Sequence, residues 1–315
     1  MKLIVIIPAY NEEKTIGTVI KSIPNKINGI TKLEIIVVDD GSKDRTPEIA
    51  RKSGALVVSH STNKGVGAAF QTGIDKAIEL KADIILNMDA DGQFNPLDIP
   101  KLIQPIIAGT ADMVTASRFK DKNLVPIMPL HKKIGNRLFS NLTSFLVGQK
   151  FYDTQCGFRA YSKKAALNLN LFGKFTYTQE AFIDLASKDI KIVEIPLKIR
   201  GVREFGKSKV ANNVFKYGFR ALDIMIKTVR DYKPLEFFGG IGFSVFSIGF
   251  VFGLFVFAHW LRTGATSPYT SMIPIGAVFL ILGFLMMFLA LIADMNSRIR
   301  RNQERILYEL KRNGK

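Results

Sequence analysis

Two long stretches toward the end of the chain contain no charged residue, 237–261 and 263–293. A helix needs about 20 consecutive apolar residues to cross the hydrocarbon core of a bilayer. We therefore expect two membrane-spanning helices within residues 234–294. Trp260 and Tyr269 lie near the expected ends of the spans, where aromatic residues are enriched at membrane surfaces. The alternative is a buried helical hairpin of a soluble protein.

The charges around these stretches predict their orientation. The net charge is +17, yet the short loop between the two spans contains only one charged residue, Arg262. Because Lys and Arg concentrate on the cytoplasmic side of a membrane, we expect an integral protein of the cell membrane with both termini in the cytoplasm. Residues 295–315 would form a basic cytoplasmic tail. The first apolar segment is too short for a signal peptide, which agrees with a cytoplasmic amino-terminal domain.

The segment 210–233, just before the first span, carries a mainly basic stripe and a separate apolar stripe at helical spacing. Such a helix can lie in the membrane interface; the alternative is an ordinary helix on a protein surface. We interpret it as an amphipathic juxtamembrane helix. Much of the positive charge then lies beside the membrane, which favours an anionic membrane surface over nucleic acid as its partner.

Residues 1–209 alternate between short runs rich in Ile and Val and longer stretches with helical periodicity. This alternation predicts an α/β domain with a mostly parallel sheet and helices on both faces. Ligands of such folds bind at the carboxyl ends of the strands. Polar clusters follow three of the expected strands, at 8–12, 39–42 and 89–91, so we expect them to converge on one edge. The expected strands are Leu3–Ile7, Leu33–Val38, Ala55–Ser59, Ile84–Met88, Met113–Ala116 and Ile190–Ile199.

The third cluster suggests a cation site. Asp89 and Asp91 follow an apolar run at spacing i, i+2, which in a strand places both carboxylates on the same face. Carboxylate oxygens suit Mg²⁺ or Mn²⁺. The alternative is a strand followed by a turn rich in Asp.

Thr46 and Pro47 predict the start of a helix, with Thr46 as its N-cap. The single cysteine, Cys156, rules out an intramolecular disulfide.

With these pieces in place, the chain resembles glycosyltransferase family 2, and more closely its polyprenyl-phosphate glycosyltransferases. The resemblance implies a Rossmann-like GT-A fold, a nucleotide-sugar donor, a divalent cation and inversion at the anomeric carbon. The motifs that carry it are Ile7-Pro8-Ala9-Tyr10-Asn11-Glu12-Glu13, Val37-Val38-Asp39-Asp40-Gly41-Ser42-Lys43-Asp44, Asn63-Lys64-Gly65, Asp89-Ala90-Asp91-Gly92-Gln93, Ser117-Arg118-Phe119, Asp153 to Arg159, and Arg203-Glu204-Phe205-Gly206-Lys207-Ser208-Lys209.

The same resemblance assigns roles to residues on the donor side. Asp89 would contact the ribose or the cation, and Asp91 would hold the cation against the diphosphate of the nucleotide together with Gln93. Asp91 is thus expected to take part in nucleotide binding, metal binding and catalysis. A cation there would neutralise the charge that builds on the leaving diphosphate. The residues implied to line the nucleoside pocket are Pro8, Tyr10, Glu12 and Asp39.

The acceptor implied by the resemblance is a polyprenyl monophosphate, of the dolichyl or undecaprenyl type. A phosphate monoester has a second pKa of about 6, so it is largely dianionic at neutral pH and needs charge compensation rather than a strong base. Asp153 is accordingly expected to position other groups or act as a weak base, and Cys156 to pack in its turn. Arg118 and Arg203 are expected to be catalytic, and the residues expected to bind the acceptor or the diphosphate are Arg118, Lys132, Asn136, Arg203 and Lys209.

Several alternatives remain at this point. Residues 201–208 match the P-loop pattern of an NTPase. A processive polysaccharide synthase shares the nucleotide-binding half, and a non-catalytic membrane protein that only binds nucleotide sugars is a third possibility. GDP-mannose, UDP-glucose and UDP-N-acetylglucosamine all fit as donors, and a homo-oligomer is possible.

Overall fold

The structure is a computed structural model that describes residues 1–171, 177–201 and 233–313, together with 222–223, 226–227 and 229–230. The chain divides into two compact units. The first comprises Met1–Met225 and Tyr308–Lys315, and the second comprises Ile226–Leu307.

The first unit contains a seven-stranded sheet in the order β3-β2-β1-β4-β6-β5-β7. Every pairing is parallel except those of β6, which runs antiparallel to both of its neighbours, β4 and β5. The central strands are apolar and buried because helices cover both faces of the sheet. The strands are β1 (Lys2–Ala9), β2 (Lys32–Asp39), β3 (Leu56–Ser59), β4 (Ile84–Asn87), β5 (Met113–Ser117), β6 (Arg159–Ser162) and β7 (Ile192–Pro196).

Side chains alternate along β1 between two hydrophobic clusters. Leu3, Val5 and Ile7 pack on one face of the sheet, whereas Ile4 and Ile6 pack on the opposite face. This period of two is the signature of a strand that is buried on both faces. The helices of this unit are α1 (Ile16–Lys21), α2 (Thr46–Lys52), α3 (Val66–Glu79), α4 (Ile99–Ile107), α5 (Leu130–Val147), α6 (Lys163–Asn168) and α7 (Thr178–Ala186), with short 3₁₀ turns at Pro96–Asp98 and Lys122–Leu124.

The mostly parallel α/β sheet predicted from the sequence is confirmed. Two elements were not predicted, β6 and the short helix α6 that follows it directly. The predicted cap of α2 is wrong: the N-cap position is Arg45, and Thr46 is the first residue of the helix. The Thr46 hydroxyl instead accepts a hydrogen bond from the N–H of Glu12, at 2.8 Å. This bond ties the start of α2 to the loop after β1.

The second unit contains two long apolar helices, α8 (Pro234–Thr263) and most of α9 (Met272–Asn313). Both are long and apolar enough to cross a membrane, as predicted, and they indicate membrane association. α9 continues as a helix beyond residue 294, where the second span was expected to end.

Glycines bring the backbones of these two helices close together. A Cβ atom at Gly249 would lie 2.6 Å from the Gly276 carbonyl oxygen, and one at Gly242 would lie 3.0 Å from that of Gly283. On each helix the two glycines are seven residues apart, so they fall on one face. Small residues at such a spacing allow the close backbone approach by which helices pack in lipid.

Candidate active site

The loops after β1 and β2 form the first part of the site. They leave the sheet side by side because Ala9 pairs with Asp39 in the parallel register. Asn11, whose φ angle of 52° lies in the left-handed region, donates its N–H to Ser42 Oγ at 2.9 Å. The two loops are therefore one connected rim at the carboxyl edge of the sheet.

The four residues predicted to line a nucleoside pocket all lie on this rim. Pro8, Tyr10 and Glu12 are partly exposed. Asp39 is buried, and its Oδ1 accepts a hydrogen bond from the N–H of Ser42 at 3.0 Å. The rim therefore combines an aromatic ring, a proline and two carboxylates, a set that can stack on a base and accept hydrogen bonds from it or from a ribose.

Asp40, which was not predicted to be a site residue, organises the neighbouring loop. This carboxylate is buried and accepts hydrogen bonds from the N–H groups of Lys64 and Gly65, at 2.9 and 2.8 Å. Its Oδ1 also lies 2.7 Å from Nδ1 of His60, whose Nε2 lies 3.0 Å from the Thr72 hydroxyl. One carboxylate thus fixes the loop that leads into α3. The doubled aspartate at the end of β2 is the only signal of it in the sequence.

Asp89, Asp91 and Gln93 follow β4 on the same edge. Asp91 is buried, and its Oδ1 accepts the N–H of Gln93 at 3.0 Å. Gln93 and Arg200 are bonded in both directions: the Gln93 side-chain amide donates to the Arg200 carbonyl at 2.8 Å, and the Arg200 N–H donates to the Gln93 carbonyl at 3.2 Å. Residue 200, beyond β7, is thereby fixed beside the predicted cation site.

These residues fit a hard divalent cation by the chemistry of their donor atoms. Gln93 uses its Nε2 to donate to a carbonyl, so Oε1 is the atom it can offer to a metal. The Asp89 carboxylate lies close to Gly157: a Cβ atom added to Gly157 would be 3.0 Å from Asp89 Oδ1. Within the described ranges no three His, Cys, Asp or Glu side chains form a metal-binding group. A cation here would therefore use two carboxylates, an amide oxygen and substrate phosphates, as Mg²⁺ and Mn²⁺ sites often do.

A basic cleft of about 610 Å³ opens beside Gln93, between α1 and residues 198–200. Lys14, Lys198 and Arg200 line it, together with one acidic residue, Asp98. Three cationic side chains next to a predicted cation site favour an anionic ligand in this part of the molecule.

Arg118 and Asp153 form a two-pronged ion pair. Arg118 Nε lies 2.6 Å from Asp153 Oδ2, and a terminal nitrogen of the guanidinium lies 2.8 Å from Oδ1. The Arg118 N–H also donates to Oδ2, at 3.0 Å. Burial disfavours the charged guanidinium, but the Asp153 carboxylate outweighs this effect and raises the pKa of Arg118; the charge of Asp89 acts in the same direction. Both oxygens of Asp153 are thus committed to Arg118, which suits a positioning residue.

Glu194, in β7, holds the backbone from which Asp153 projects. Its two carboxylate oxygens accept the N–H groups of Tyr152 and Asp153, at 2.9 and 2.8 Å. Burial raises the pKa of this carboxyl. In the sequence, Glu194 is the single acidic residue in an otherwise apolar strand. This pattern could have indicated a structural role, but the role was not predicted.

Arg159, at the start of β6, is fully buried. Its guanidinium donates to the carbonyls of Thr154, Cys156 and Thr178, each at 2.8 Å, and lies over the ring of Phe182. These bonds fix the turn between Asp153 and β6. Burial, followed by the charge of Asp153, raises the pKa of Cys156 to about 12, so the thiol stays protonated and packs in that turn.

The other predicted acceptor residues differ in their placement. Lys132 is exposed on α5. Asn136, on the same helix, is buried and donates from Nδ2 to the Tyr152 carbonyl at 3.2 Å, so it supports the backbone next to Asp153. Arg203 and Lys209 lie outside the described residues.

Comparison with known proteins identifies the family of this chain. The family model described as glycosyl transferase family 2 matches residues 4–169. The UDP-N-acetylglucosamine–dolichyl-phosphate N-acetylglucosaminyltransferase of Methanococcus voltae is 38% identical over 72% of this chain and 97% of its own length. The dolichyl-phosphate hexose transferase of Haloferax volcanii is 32% identical over 63% of this chain and 82% of its own length.

The fold agrees with that of solved structures. Glucosyl-3-phosphoglycerate synthase from Mycobacterium tuberculosis, crystallised with Mn²⁺, UDP-glucose and phosphoglyceric acid, superposes with a TM-score of 0.56 at 24% identity, over 72% of this chain and 79% of that one. The GT-A fold implied by the motifs is therefore confirmed. Together with the family match over more than half of the chain, it establishes that this protein is a glycosyltransferase of family 2.

Proposed function

We propose that this protein is a membrane-bound inverting glycosyltransferase that transfers one hexose from a nucleotide sugar to a polyprenyl phosphate. The observation that carries the proposal is the ion pair between Arg118 and Asp153, in which the carboxylate has both oxygens bonded to the arginine. The names of the relatives from Methanococcus voltae and Haloferax volcanii, both dolichyl-phosphate glycosyltransferases, support the same acceptor class.

The ion pair favours a phosphate acceptor for a chemical reason. An acceptor with a free hydroxyl group needs a general base within hydrogen-bond reach, and Asp153 is already held by a permanent cation. A phosphate dianion loses no proton when it attacks. One of its oxygens forms the bond to the anomeric carbon as the bond from that carbon to the diphosphate breaks, and the configuration is inverted. Arg118 would then bond to the phosphate through the guanidinium N–H groups that Asp153 does not use, and Lys132, Arg203 and Lys209 are proposed to supply the compensating positive charge.

The donor would bind along the rim at the carboxyl edge of the sheet. Tyr10 and Pro8 would contact the base, and the carboxylates of Glu12 and Asp39 would accept hydrogen bonds from the base or the ribose. Asp89, Asp91 and Gln93 would hold Mg²⁺ or Mn²⁺. When bound, such a cation neutralises negative charge on the leaving diphosphate. The presence of Mn²⁺ with UDP-glucose in the glucosyl-3-phosphoglycerate synthase crystals supports this arrangement.

The names of the relatives also suggest where to begin with substrates. UDP-N-acetylglucosamine and a dolichyl phosphate are the first pair to test, followed by UDP-glucose, GDP-mannose and undecaprenyl phosphate. We further propose that the two helices anchor the protein in the cell membrane with both termini and the catalytic domain in the cytoplasm, beside an anionic membrane surface. A homo-oligomer is compatible with this arrangement.

The proposal is tested by incubating membranes that contain the protein with labelled nucleotide sugars, polyprenyl phosphate and Mn²⁺ or Mg²⁺. The expected product is an acid-labile, lipid-linked monosaccharide that is lost in Asp91→Asn and on chelation of the metal with EDTA. Asp189→Asn is the matched control, because Asp189 is exposed and has a left-handed φ of 56° that asparagine also tolerates. This control is expected to keep full activity.

The other outcomes separate the alternatives. A growing polymer would identify a processive synthase. Hydrolysis of ATP without sugar transfer would favour the P-loop interpretation of residues 201–208. Binding of nucleotide sugar without transfer to any acceptor would indicate a binding protein, and equal activity with and without EDTA would refute the metal assignment.

A further inference from the structure

The outer face of α5 is mostly apolar, with the exposed Asn141 as a polar member, whereas its inner face is mostly polar. Leu130, Ile134, Leu138 and Phe145 are 71%, 59%, 64% and 82% exposed. They lie at i, i+4, i+8 and i+15, which places them along one side of a helix. This is the reverse of the pattern of a helix on the surface of a water-soluble domain, where the outer face is polar. The residues buried on the inner face are Asn136, Phe139, Ser140 and Thr143.

The loop that leads into α5 continues this surface, since Ile127 is 94% exposed. Exposed large apolar side chains normally occur singly on a soluble domain, and a contiguous set of them marks an interaction surface. Ile127, Leu130, Ile134, Leu138 and Phe145 are called the α5 ridge below.

Basic side chains border the α5 ridge. Lys133 and Arg137 are exposed on the same helix, and by helical spacing both lie along one edge of the line through Leu130, Ile134 and Leu138. An apolar stripe bordered by Lys and Arg fits the interface of an anionic bilayer, where apolar groups enter the acyl region and cations meet the headgroups. A protein partner would not require this combination, and the chain already contains two helices fit to span a membrane.

We propose that the α5 ridge lies in the interfacial region of an anionic lipid bilayer. The membrane-surface helix expected from the sequence was the segment 210–233, most of which lies outside the described residues, and α5 would be a separate contact. Its inner face connects it to the site: Asn136 bonds to the Tyr152 carbonyl, and the next residue is Asp153, the partner of Arg118. A membrane contact through α5 would therefore hold the predicted phosphate-binding arginine close to the lipid surface.

The experiment uses the full-length protein, reconstituted into vesicles of phosphatidylcholine and phosphatidylglycerol with and without brominated acyl chains. Trp260 is the only tryptophan, so a Trp260→Phe background allows a single reporter at Leu138→Trp or Phe145→Trp. Leu56→Trp is the matched control, because Leu56 is an exposed apolar side chain, at 46%, on the edge strand β3. Brominated lipid quenches tryptophan only on contact, and the readout does not require sugar transfer. A failure of this proposal and a failure of the proposed activity are therefore distinguishable.

We expect brominated lipid to quench both ridge reporters at least twofold more strongly than the Leu56→Trp control. A second pair of variants tests the charge component: Lys133→Glu with Arg137→Glu should remove the dependence of ridge quenching on phosphatidylglycerol. Equal quenching at the ridge and at Leu56 would overturn the proposal. A blue-shifted ridge emission without quenching would overturn it as well, because the ridge would then be covered by protein, either a second copy or another segment of the chain.

Discussion

Replacement of Arg118 by methionine tests the ion pair beneath the proposed chemistry. Asp153 is fully buried, and the Arg118 side chain is 20% exposed. Methionine has a similar length but neither charge nor N–H donors. Asp153 would keep the backbone bond from residue 118 but lose both guanidinium bonds. The variant would thus leave a carboxylate buried without a cation.

Removal of one partner of a buried ion pair costs about 3–5 kcal/mol, whereas replacement of both partners is often close to neutral. We therefore expect Arg118→Met to destabilise the protein by about that amount, and Arg118→Met/Asp153→Asn to recover much of the loss. For domains of this size 1 kcal/mol corresponds to about 2–4 °C in the unfolding temperature. The single variant should unfold at a temperature lower by roughly 6–20 °C.

The assay is thermal unfolding of the full-length protein in detergent, followed by circular dichroism or resistance to protease. The control is Lys164→Met, which breaks an exposed ion pair with Asp112 and should change the unfolding temperature little, since exposed pairs contribute little to stability. The single variant Asp153→Asn completes the comparison. The reasoning is refuted if Arg118→Met unfolds at the wild-type temperature, or if the destabilisation of the double variant equals the sum of those of the two single variants.

Three further predictions concern other parts of the molecule. Asp40→Asn should raise KM for the nucleotide sugar about tenfold with little change in kcat. The loop that Asp40 holds borders the donor rim, and hydrogen bonds to a charged group are worth about 1.5–3 kcal/mol. A loss confined to kcat would contradict this prediction. Gly283→Leu should destabilise the helical pair in detergent by about 1–3 kcal/mol or more, because a Cβ atom at this position would meet the backbone of Phe246. The control Gly253→Leu should be tolerated, since a Cβ atom there has open space. Equal destabilisation by the two variants would argue against close packing. The raised pKa of Glu194 means that the native state binds this proton more tightly than the unfolded chain does. Its contribution to stability is therefore full at low pH and declines as pH rises through the raised pKa. Glu194→Gln should flatten this part of the profile of unfolding temperature against pH, and an unchanged profile would contradict the assignment.

The sequence was sufficient to predict the elements whose signal is local. Strands β1, β2 and β4 are long or strongly apolar runs, and helix α2 begins within one residue of the start that Thr46 and Pro47 predicted. β6 escaped prediction because it has four residues and begins with Arg159, a charge that argues against a buried strand. The structure resolves this conflict through the carbonyls that surround the guanidinium.

The site was predictable to the extent that its residues belong to motifs. The donor rim and the Asp89–Asp91 pair lie at the expected edge of the sheet. Asp40 and Glu194 were not predicted because both act on backbone N–H groups that are distant in sequence, and no spacing rule reveals such a partner. Thr46 has a side chain suited to a helix cap, but its hydroxyl accepts a hydrogen bond from the backbone N–H of Glu12. This is a tertiary contact, which the local sequence does not reveal.

The antiparallel insertion of β6 has a consequence for the order in which the site can form during synthesis. All residues of the donor rim and of the predicted cation site have been synthesised once the chain reaches residue 93, although Gln93 gains its two bonds to Arg200 only later. The Asp153 turn, in contrast, needs Glu194 for its two backbone bonds, so it cannot be completed until β7 has also emerged. Domains fold from the amino terminus as the chain is made. For about 100 residues of elongation, the nascent chain therefore carries the residues proposed to bind the donor while the turn proposed to face the acceptor is unfinished.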